Sequence, residues 1–394
     1  MGKHSGCEAL VSIRSDTVAV LLWCLGRIAG PSPGWAQETP WEIGHRSITF
    51  VDPSRDERAI LTEIYYPADA AGNNVPVAQP EDGGFPVAVF GHGYLMSWSA
   101  YANIWQAMTP RGYVIALPRT ESGLVPDHAE LALDLAFLVS RLRLEAMTPA
   151  SPFYGALDSS SAVMGHSMGG GAAVLAAASD ASITALANLA AAETDPSAIS
   201  AAAGVLVPCL VVSGSYDGVA PPGQHQIPLY QALASPCKTF VSITGGSHCQ
   251  FAESNFYCEL GEVGAPDPLI DRDTQHALTE AFVLPWLDFH LKGEDASWWE
   301  FEDSLATCGA ITYQHDCDGI PPAPPVVTEI VRVAPTVAIT WRPSPFAITY
   351  KIFSSEGAHD PISSWGIEGT TADTIWTGES GSPQRFFRVT ALKE

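Results

Sequence analysis

The chain has 394 residues, 46% of them hydrophobic and 16% charged, and a formal net charge of −24. That length is more than one typical domain needs, so one large α/β domain with a sizeable core plus a smaller module is expected. The sparse, one-signed acidic charge excludes nucleic acid and anionic membrane surfaces as partners, because nothing supplies the cationic stripe that phosphates require.

At the N-terminus, Lys3 and Arg14 precede the apolar run TVAVLLWCLG, and PSPGWA follows it. A basic segment, a short apolar run and a small-x-small site at Gly34 and Ala36 predict a secretory signal peptide over residues 1–36. The run is too short for an ordinary membrane span, and no other stretch spans one, so the mature protein is expected in the extracellular space or periplasm. Cys7 and Cys24 leave with the signal, and Cys209, Cys237, Cys249, Cys258, Cys308 and Cys317 remain. An even number in an exported chain predicts disulfides, although spacing alone does not fix their connectivity. Cys209 and Cys237 each begin a predicted parallel strand, where neighbours bridge. Cys249 with Cys258, and Cys308 with Cys317, would close short loops.

Next, WEIGHRSITFVD (41–52) and ILTEIYYPA (60–68) alternate like half-exposed strands and predict an antiparallel hairpin at a sheet edge. Short apolar runs then predict strands at FPVAVFG (85–91), VIALP (114–118), AVMG (162–165), ITALANLA (183–190), CLVVSG (209–214) and KTFVSI (238–243). Helical patterns alternate with them: SWSAYANIWQAM (97–108), AELALDLAFLVSRLRLEAM (129–147), MGGGAAVLAAAS (168–179), HQIPLYQALA (225–234) and TQHALTEAFVLPWLDFHLKG (274–293). This alternation predicts a mostly parallel sheet covered on both faces, with the ligand site beyond the carboxyl ends of its strands. The proline cluster of DGIPPAPPVV marks a semi-rigid linker at 319–326, which closes a catalytic domain expected over 37–318. Beyond it, VAITWRP, TYKIFSS, DTIWTG and RFFRVTAL are short strands with no helix between them, the pattern of a small β-sandwich over 327–394. The spacing of Trp341, Tyr350 and RVTA resembles fibronectin type III domains. This module concentrates no titratable groups, so its expected role is spacing or weak binding to a surface or polymer.

Within AVMGHSMGGG, Ser167 is boxed by Gly165 and Gly169 in the pattern G-x-S-x-G. With 34 glycines in the chain, a bare match is weak. It gains meaning because a buried strand precedes it and a helix follows it, the context of a nucleophile elbow. A serine hydroxyl attacks well only when a histidine takes its proton and an acid orients that histidine. In this context the order is serine, acid, histidine. Asp217 follows the strand CLVVSG, and His248 follows the next strand, so both reach the same sheet edge as Ser167. The oxyanion donors are expected at the backbone N–H of Met168, after the nucleophile, and of Tyr94, in the loop GHGYLMSW after the first core strand. His92, Gly93, His166 and Glu193 are assigned to the walls of the substrate pocket. As alternative bases, His92 precedes the serine and breaks the usual order, and His166 and His225 read as structural. No cofactor or metal is expected: no Cys/His ligand spacing occurs, and the acidic run DPLIDRD (267–273) reads as solvated surface.

These residues resemble the α/β-hydrolase fold, in its dienelactone-hydrolase-like branch, and within it the actinobacterial cutinases and polyethylene terephthalate hydrolases. The resemblance covers about residues 42–292 and runs through HGY, AVMGHSMGGG, SYDGVAPPGQHQIPLY and GGSH. It implies Ser167 as nucleophile, Asp217 as acid, His248 as base, and Tyr94 with Met168 as the oxyanion pair. The segments IYYPA and HLKGEDASWW are also similar to secreted chlorophyllase and platelet-activating-factor acetylhydrolase relatives. Polyester hydrolases of this group place a tryptophan soon after the strand that follows the elbow helix. Here Ala191, Ala192 and Glu193 stand in that segment, which argues against efficient polyester cleavage. The expected activity is hydrolysis of a carboxylic ester through an acyl-enzyme. A lipase or phospholipid acetylhydrolase with the same triad is the second reading, and a non-catalytic extracellular binding protein is the third.

Overall fold

The computed structural model describes residues 11–14, 17–19, 40–80 and 83–317, then 320, 322, 324–333, 335–357, 364–379 and 385–392. The predicted cleavage site at Gly34 and Ala36, Cys7, Cys24 and residues 319, 321 and 323 of the predicted linker lie outside the described residues. The chain divides into two compact units, Thr39–Asp318 and Gly319–Glu394 with the N-terminal residues. Strands β1 (Val11–Arg14) and β2 (Thr17–Ala19) belong to the latter unit.

The larger unit is built on a ten-stranded sheet among the described residues. Its strands are β3 (Glu42–Asp52), β4 (Arg58–Ala68), β5 (Gly72–Asn73), β6 (Phe85–Gly91), β7 (Val114–Pro118), β8 (Leu157–His166), β9 (Ala185–Leu189), β10 (Cys209–Gly214), β11 (Cys237–Ile243) and β12 (Ile311–Cys317). They lie in the order β12-β11-β10-β9-β8-β6-β7-β4-β3-β5. From β7 to β11 each neighbouring pair is parallel, whereas β4 and β12 run antiparallel to their inner neighbours. The middle strands β6, β7, β9 and β10 are buried along their whole length, which explains their unbroken apolar runs. At the edge, β3 alternates between exposed and buried positions as its sequence does.

Helices α1 (Ala102–Met108), α2 (His128–Met147), α3 (Met168–Ser179), α4 (Ala198–Ala201), α5 (Gln226–Ala232), α6 (Phe256–Gly261), α7 (Arg272–Lys292) and α8 (Asp295–Thr307) connect the strands. The chain α2, α3, α4 and α5 packs in succession, and α1, α7 and α8 form a separate group. Helix α2 starts where the Asp127 carboxylate accepts hydrogen bonds from Ala129 N and Glu130 N, and α7 where Asp271 accepts from Thr274 N. Helix α3 is almost entirely buried, so its run of glycines and alanines sets how closely it approaches the sheet.

The sequence pattern does not reveal α8 and β12. Strand β12 is mostly exposed and reads ITYQHDC. Backbone pairing with β11, from Cys237↔Cys317 to Ile243↔Ile311, recruits it rather than apolar burial. That pairing also corrects the expected disulfides. Cys237 bonds to Cys317, which stands opposite it across the two strands, so Cys209 and Cys308 remain free. Cys209 pairs in register with Lys238 instead, and burial pushes its thiol up to about 12. Cys249 and Cys258 are bridged, at an S–S distance of 1.98 Å.

In the smaller unit, β13 (Val326–Val333), β14 (Thr336–Arg342) and β17 (Ile375–Glu379) form one antiparallel sheet in the order β13-β14-β17. The other has the order β16-β15-β18-β1-β2, with β15 (Thr349–Ser355), β16 (Gly366–Thr371) and β18 (Arg385–Leu392). Val337, Ile339 and Trp341 from the first sheet and Tyr350, Ile352, Phe387 and Val389 from the second bury together in one apolar cluster.

Candidate active site

Ser167 stands between β8 and α3 with φ 55° and ψ −122°, a backbone conformation that costs a residue with a side chain about 1–3 kcal/mol. Its surroundings over-determine that geometry. Ser167 N donates to Leu189 O at 3.0 Å, while Ser167 O accepts from Gly171 N at 3.1 Å and Ala192 N at 2.9 Å. Glycines allow the interlock behind it. A Cβ on Gly165 would lie 2.2 Å from Gly169 O, and one on Gly169 would lie 2.1 Å from Gly91 O. Strand β6, strand β8 and helix α3 therefore meet backbone to backbone, and the turn carrying Ser167 cannot relax away from the sheet edge.

Asp217 follows β10 and is buried. Its Oδ1 accepts from Val219 N (2.9 Å) and Ala220 N (2.7 Å), which leaves Oδ2 facing His248 Nδ1 at 2.7 Å. An ionised carboxylate only accepts, so Nδ1 carries the proton and a neutral His248 keeps a free lone pair on Nε2. The His248 ring packs against that of His166, the residue before Ser167, with centroids 4.6 Å apart. Among the described residues no hydrogen bond joins the Ser167 hydroxyl to His248. In unliganded sites such contacts are commonly loose and tighten on substrate binding.

The backbone N–H groups of Tyr94 and Met168 have no hydrogen-bond partner among the described residues. Met168 opens α3, where the helix dipole favours negative charge. The peptide bearing the Tyr94 N–H is oriented through its carbonyl, since Gly93 O accepts from Met96 N at 3.0 Å. The Tyr94 hydroxyl donates to Leu124 O at 2.8 Å.

The other residues assigned to the pocket walls are buried or half-buried. His92, Gly93 and His166 are buried. The His92 ring bridges two loops, its nitrogens 2.9 Å from Gly93 O and 2.8 Å from Thr120 O. Both ring nitrogens of His92 are therefore used in holding these loops together. Glu193 is half-buried, and its carboxylate accepts from Ile199 N at 2.9 Å, while Glu193 N donates to His225 Nδ1 at 2.9 Å. Burial lowers the pKa of His225, in keeping with an Nδ1 that accepts.

Three polar residues that position these loops have no motif. Gln226 Nε2 donates to Ala191 O (2.7 Å) and Ala220 O (3.1 Å), which ties the segment after β9 to the Asp217 turn. Gln275 of α7 makes a two-way bond with Ser247, 2.9 Å in each direction, just before His248. Tyr101 is fully buried, and its oxygen accepts from Gly93 N at 2.7 Å. The one hint in the sequence is a glutamine or tyrosine at a helical position that periodicity assigns to the core.

A family model described as PET hydrolase-like matches residues 58–280. The chain is 27% identical over 290 residues to the bis(hydroxyethyl) terephthalate hydrolase of Streptomyces coelicolor, covering 70% of this chain and 86% of that protein. It is 26% identical over 212 residues to the cutinase est2 of Thermobifida alba, covering 53% of this chain and 68% of that protein. Among the described residues no helix is long and apolar enough to cross a membrane. The match spans the strained serine turn, the Asp217–His248 pair and the sheet that carries them, and the chain belongs to the PET hydrolase-like family of carboxylic ester hydrolases.

Proposed function

We propose that the protein is an exported serine esterase that hydrolyses its substrate through an acyl-enzyme. Ser167 attacks the ester carbonyl, and His248 Nε2 takes its proton and returns it to the leaving alcohol. Asp217 holds the His248 tautomer, and the N–H groups of Tyr94 and Met168 receive the charge that forms on the carbonyl oxygen. Water then repeats the sequence on the acyl group. The observation that carries this reading is the 2.7 Å Asp217–His248 bond at the sheet edge where Ser167 occupies its strained turn.

The substrate this site favours is an apolar ester. Tyr94, Leu124 and Val125 are exposed on the loops beside the oxyanion donors, and Val219, Phe256 and Leu260 on the segments that follow Asp217 and His248. The names of the two relatives support a terephthalate or cutin-type ester. Alanines where polyester hydrolases carry a tryptophan favour small soluble esters over a solid polymer. Residues 1–36 serve as the export signal, in keeping with the two disulfides, and strands β1 and β2 lie within it and would leave with it. Residues 327–394 act as a fibronectin type III-like sandwich that spaces the enzyme or holds it weakly to a surface.

Ser167→Ala is expected to lower turnover of a p-nitrophenyl ester by at least about 10³-fold with an unchanged circular dichroism spectrum. Residual turnover close to wild type would rule out the acyl-enzyme mechanism. A panel of acyl chain lengths, bis(hydroxyethyl) terephthalate and polyester film then separates the substrate classes.

A further inference from the structure

We infer that Tyr101 and His166 form a buried hydrogen-bond relay that fixes the oxyanion loop to the backbone of the catalytic histidine, and that both are positioning residues for ester hydrolysis. The inference rests on the serine-esterase reading above.

Four groups from separate segments lie in one line. Gly93 N is 2.7 Å from Tyr101 Oη, Tyr101 Oη is 3.0 Å from His166 Nδ1, and His166 Nε2 is 3.1 Å from His248 O. Their chemistry sets the direction of every bond. A carbonyl oxygen only accepts, so His166 Nε2 carries a proton and donates to His248 O. A neutral imidazole then has its lone pair on Nδ1, and the Tyr101 hydroxyl donates to it. The Tyr101 oxygen in turn accepts the Gly93 N–H. Each polar atom in the line has at least one partner of the right kind, and hydrogen bonds aligned in this way polarise one another.

Tyr101 and His166 are fully buried, and His248 is 1% exposed, so water does not replace a lost member. Burial, with His248 as the second cause, holds the His166 imidazole well below the usual histidine range. The relay therefore keeps its sense when His248 takes the serine proton. A rival acceptor for the tyrosine proton, Met96 Sδ, lies at 3.2 Å, and thioether sulfur is a weak acceptor.

The geometric consequence falls on the donor that stabilises the transition state. Gly93 N is held by Tyr101, and Gly93 O by Met96 N, so both ends of the residue before Tyr94 are fixed. The Tyr94 N–H direction follows, because the peptide is planar. At the other end, the backbone of His248 is tied to the residue preceding Ser167. The relay thus sets the distance between the oxyanion donors and the base, which matters for the rate and little for ground-state binding.

Tyr101→Phe keeps the ring and removes the link. Its kcat for a p-nitrophenyl ester is expected to fall by about 10–100-fold with KM within about twofold. Tyr113→Phe removes another buried tyrosine hydroxyl, one bonded to Asp288, and is expected to lower the melting temperature without changing kcat. His166→Gln tests the same line from its other end, and also serves if Tyr101→Phe melts below the assay temperature. The double variant is expected to be no slower than the slower single one, since either change breaks the whole relay. An unchanged kcat in Tyr101→Phe, a rise in KM alone, or fully additive effects would overturn the relay while Ser167-dependent turnover stands. Turnover that survives Ser167→Ala would overturn the esterase reading, and the relay with it.

Discussion

Ser167 has a positive φ because its neighbours leave no alternative, and the glycines around it act through contact distance more than through flexibility. Gly169 faces the carbonyl of Gly91 at a separation that admits no Cβ, and Gly165 faces the carbonyl of Gly169 in the same way. Any side chain at either position would push α3 off the sheet and release the strain at the serine. Gly169→Ala is therefore expected to cost about 3 kcal/mol or more in stability and to abolish turnover in whatever fraction folds. Urea denaturation with a parallel ester assay checks this, and a variant as stable and active as wild type would contradict it. The same residue-level logic separates His248 from His166. Both are buried at the elbow, yet His248 Nδ1 meets a carboxylate and His166 meets a hydroxyl and a carbonyl. In the proposed mechanism the first gains a proton and the second stays neutral.

At the scale of the element, α7 joins the site to the rest of the larger unit. Near its start Gln275 holds Ser247, and near its end Asp288 accepts from Arg111, Tyr113 and Lys292. Between them and beyond, its buried face carries Trp286 and its last turn carries His290, packed among Trp286, Phe289 and Trp298. Burial lowers the His290 pKa to about 3, and its Nε2 has no hydrogen-bond partner among the described residues. The unfolded chain binds this proton below its ordinary value of about 6.5 and the folded chain does not, so His290 costs stability progressively as pH falls from about 6.5 to 3. His290→Phe removes that cost. Its advantage over wild type is expected to grow by about 2 kcal/mol between about pH 7 and pH 4.5. Urea midpoints at the two pH values measure this, and a pH-independent difference would show that His290 titrates when folded.

For the whole molecule, every residue given a catalytic or positioning role lies in Thr39–Asp318, which has its own apolar core and both disulfides. The smaller unit has a separate apolar core. A chain ending at Asp318 is accordingly expected to keep kcat and KM for a soluble ester within about twofold of the full-length protein. Retention on polyester film is the property expected to change. A large loss of soluble-ester turnover, in a truncated protein that still melts cooperatively, would show that the smaller unit contributes to catalysis.

The alternation of buried strands and helices, the edge hairpin and the places of Ser167, Asp217 and His248 just past the ends of strands were legible in the sequence because each is local. A strand between two helical layers must be apolar throughout, and a nucleophile on a tight turn must have small neighbours. Strand β12 was not legible, because its exposed and polar face gives no periodic signal and its existence depends on the free edge of β11. One disulfide went with it: Cys237 found Cys317 through that pairing, where neighbouring parallel strands had suggested Cys209 for Cys237 and a short loop had suggested Cys308 for Cys317. Nor did any motif announce Tyr101, Gln226 or Gln275, whose backbone partners Gly93, Ala191 and Ser247 stand 8, 35 and 28 residues away. Periodicity and motif report what a residue needs from its sequence neighbours. Which backbone carbonyl or amide meets a buried polar side chain is decided only when separate loops are brought to one sheet edge, and that is a property of the tertiary structure alone.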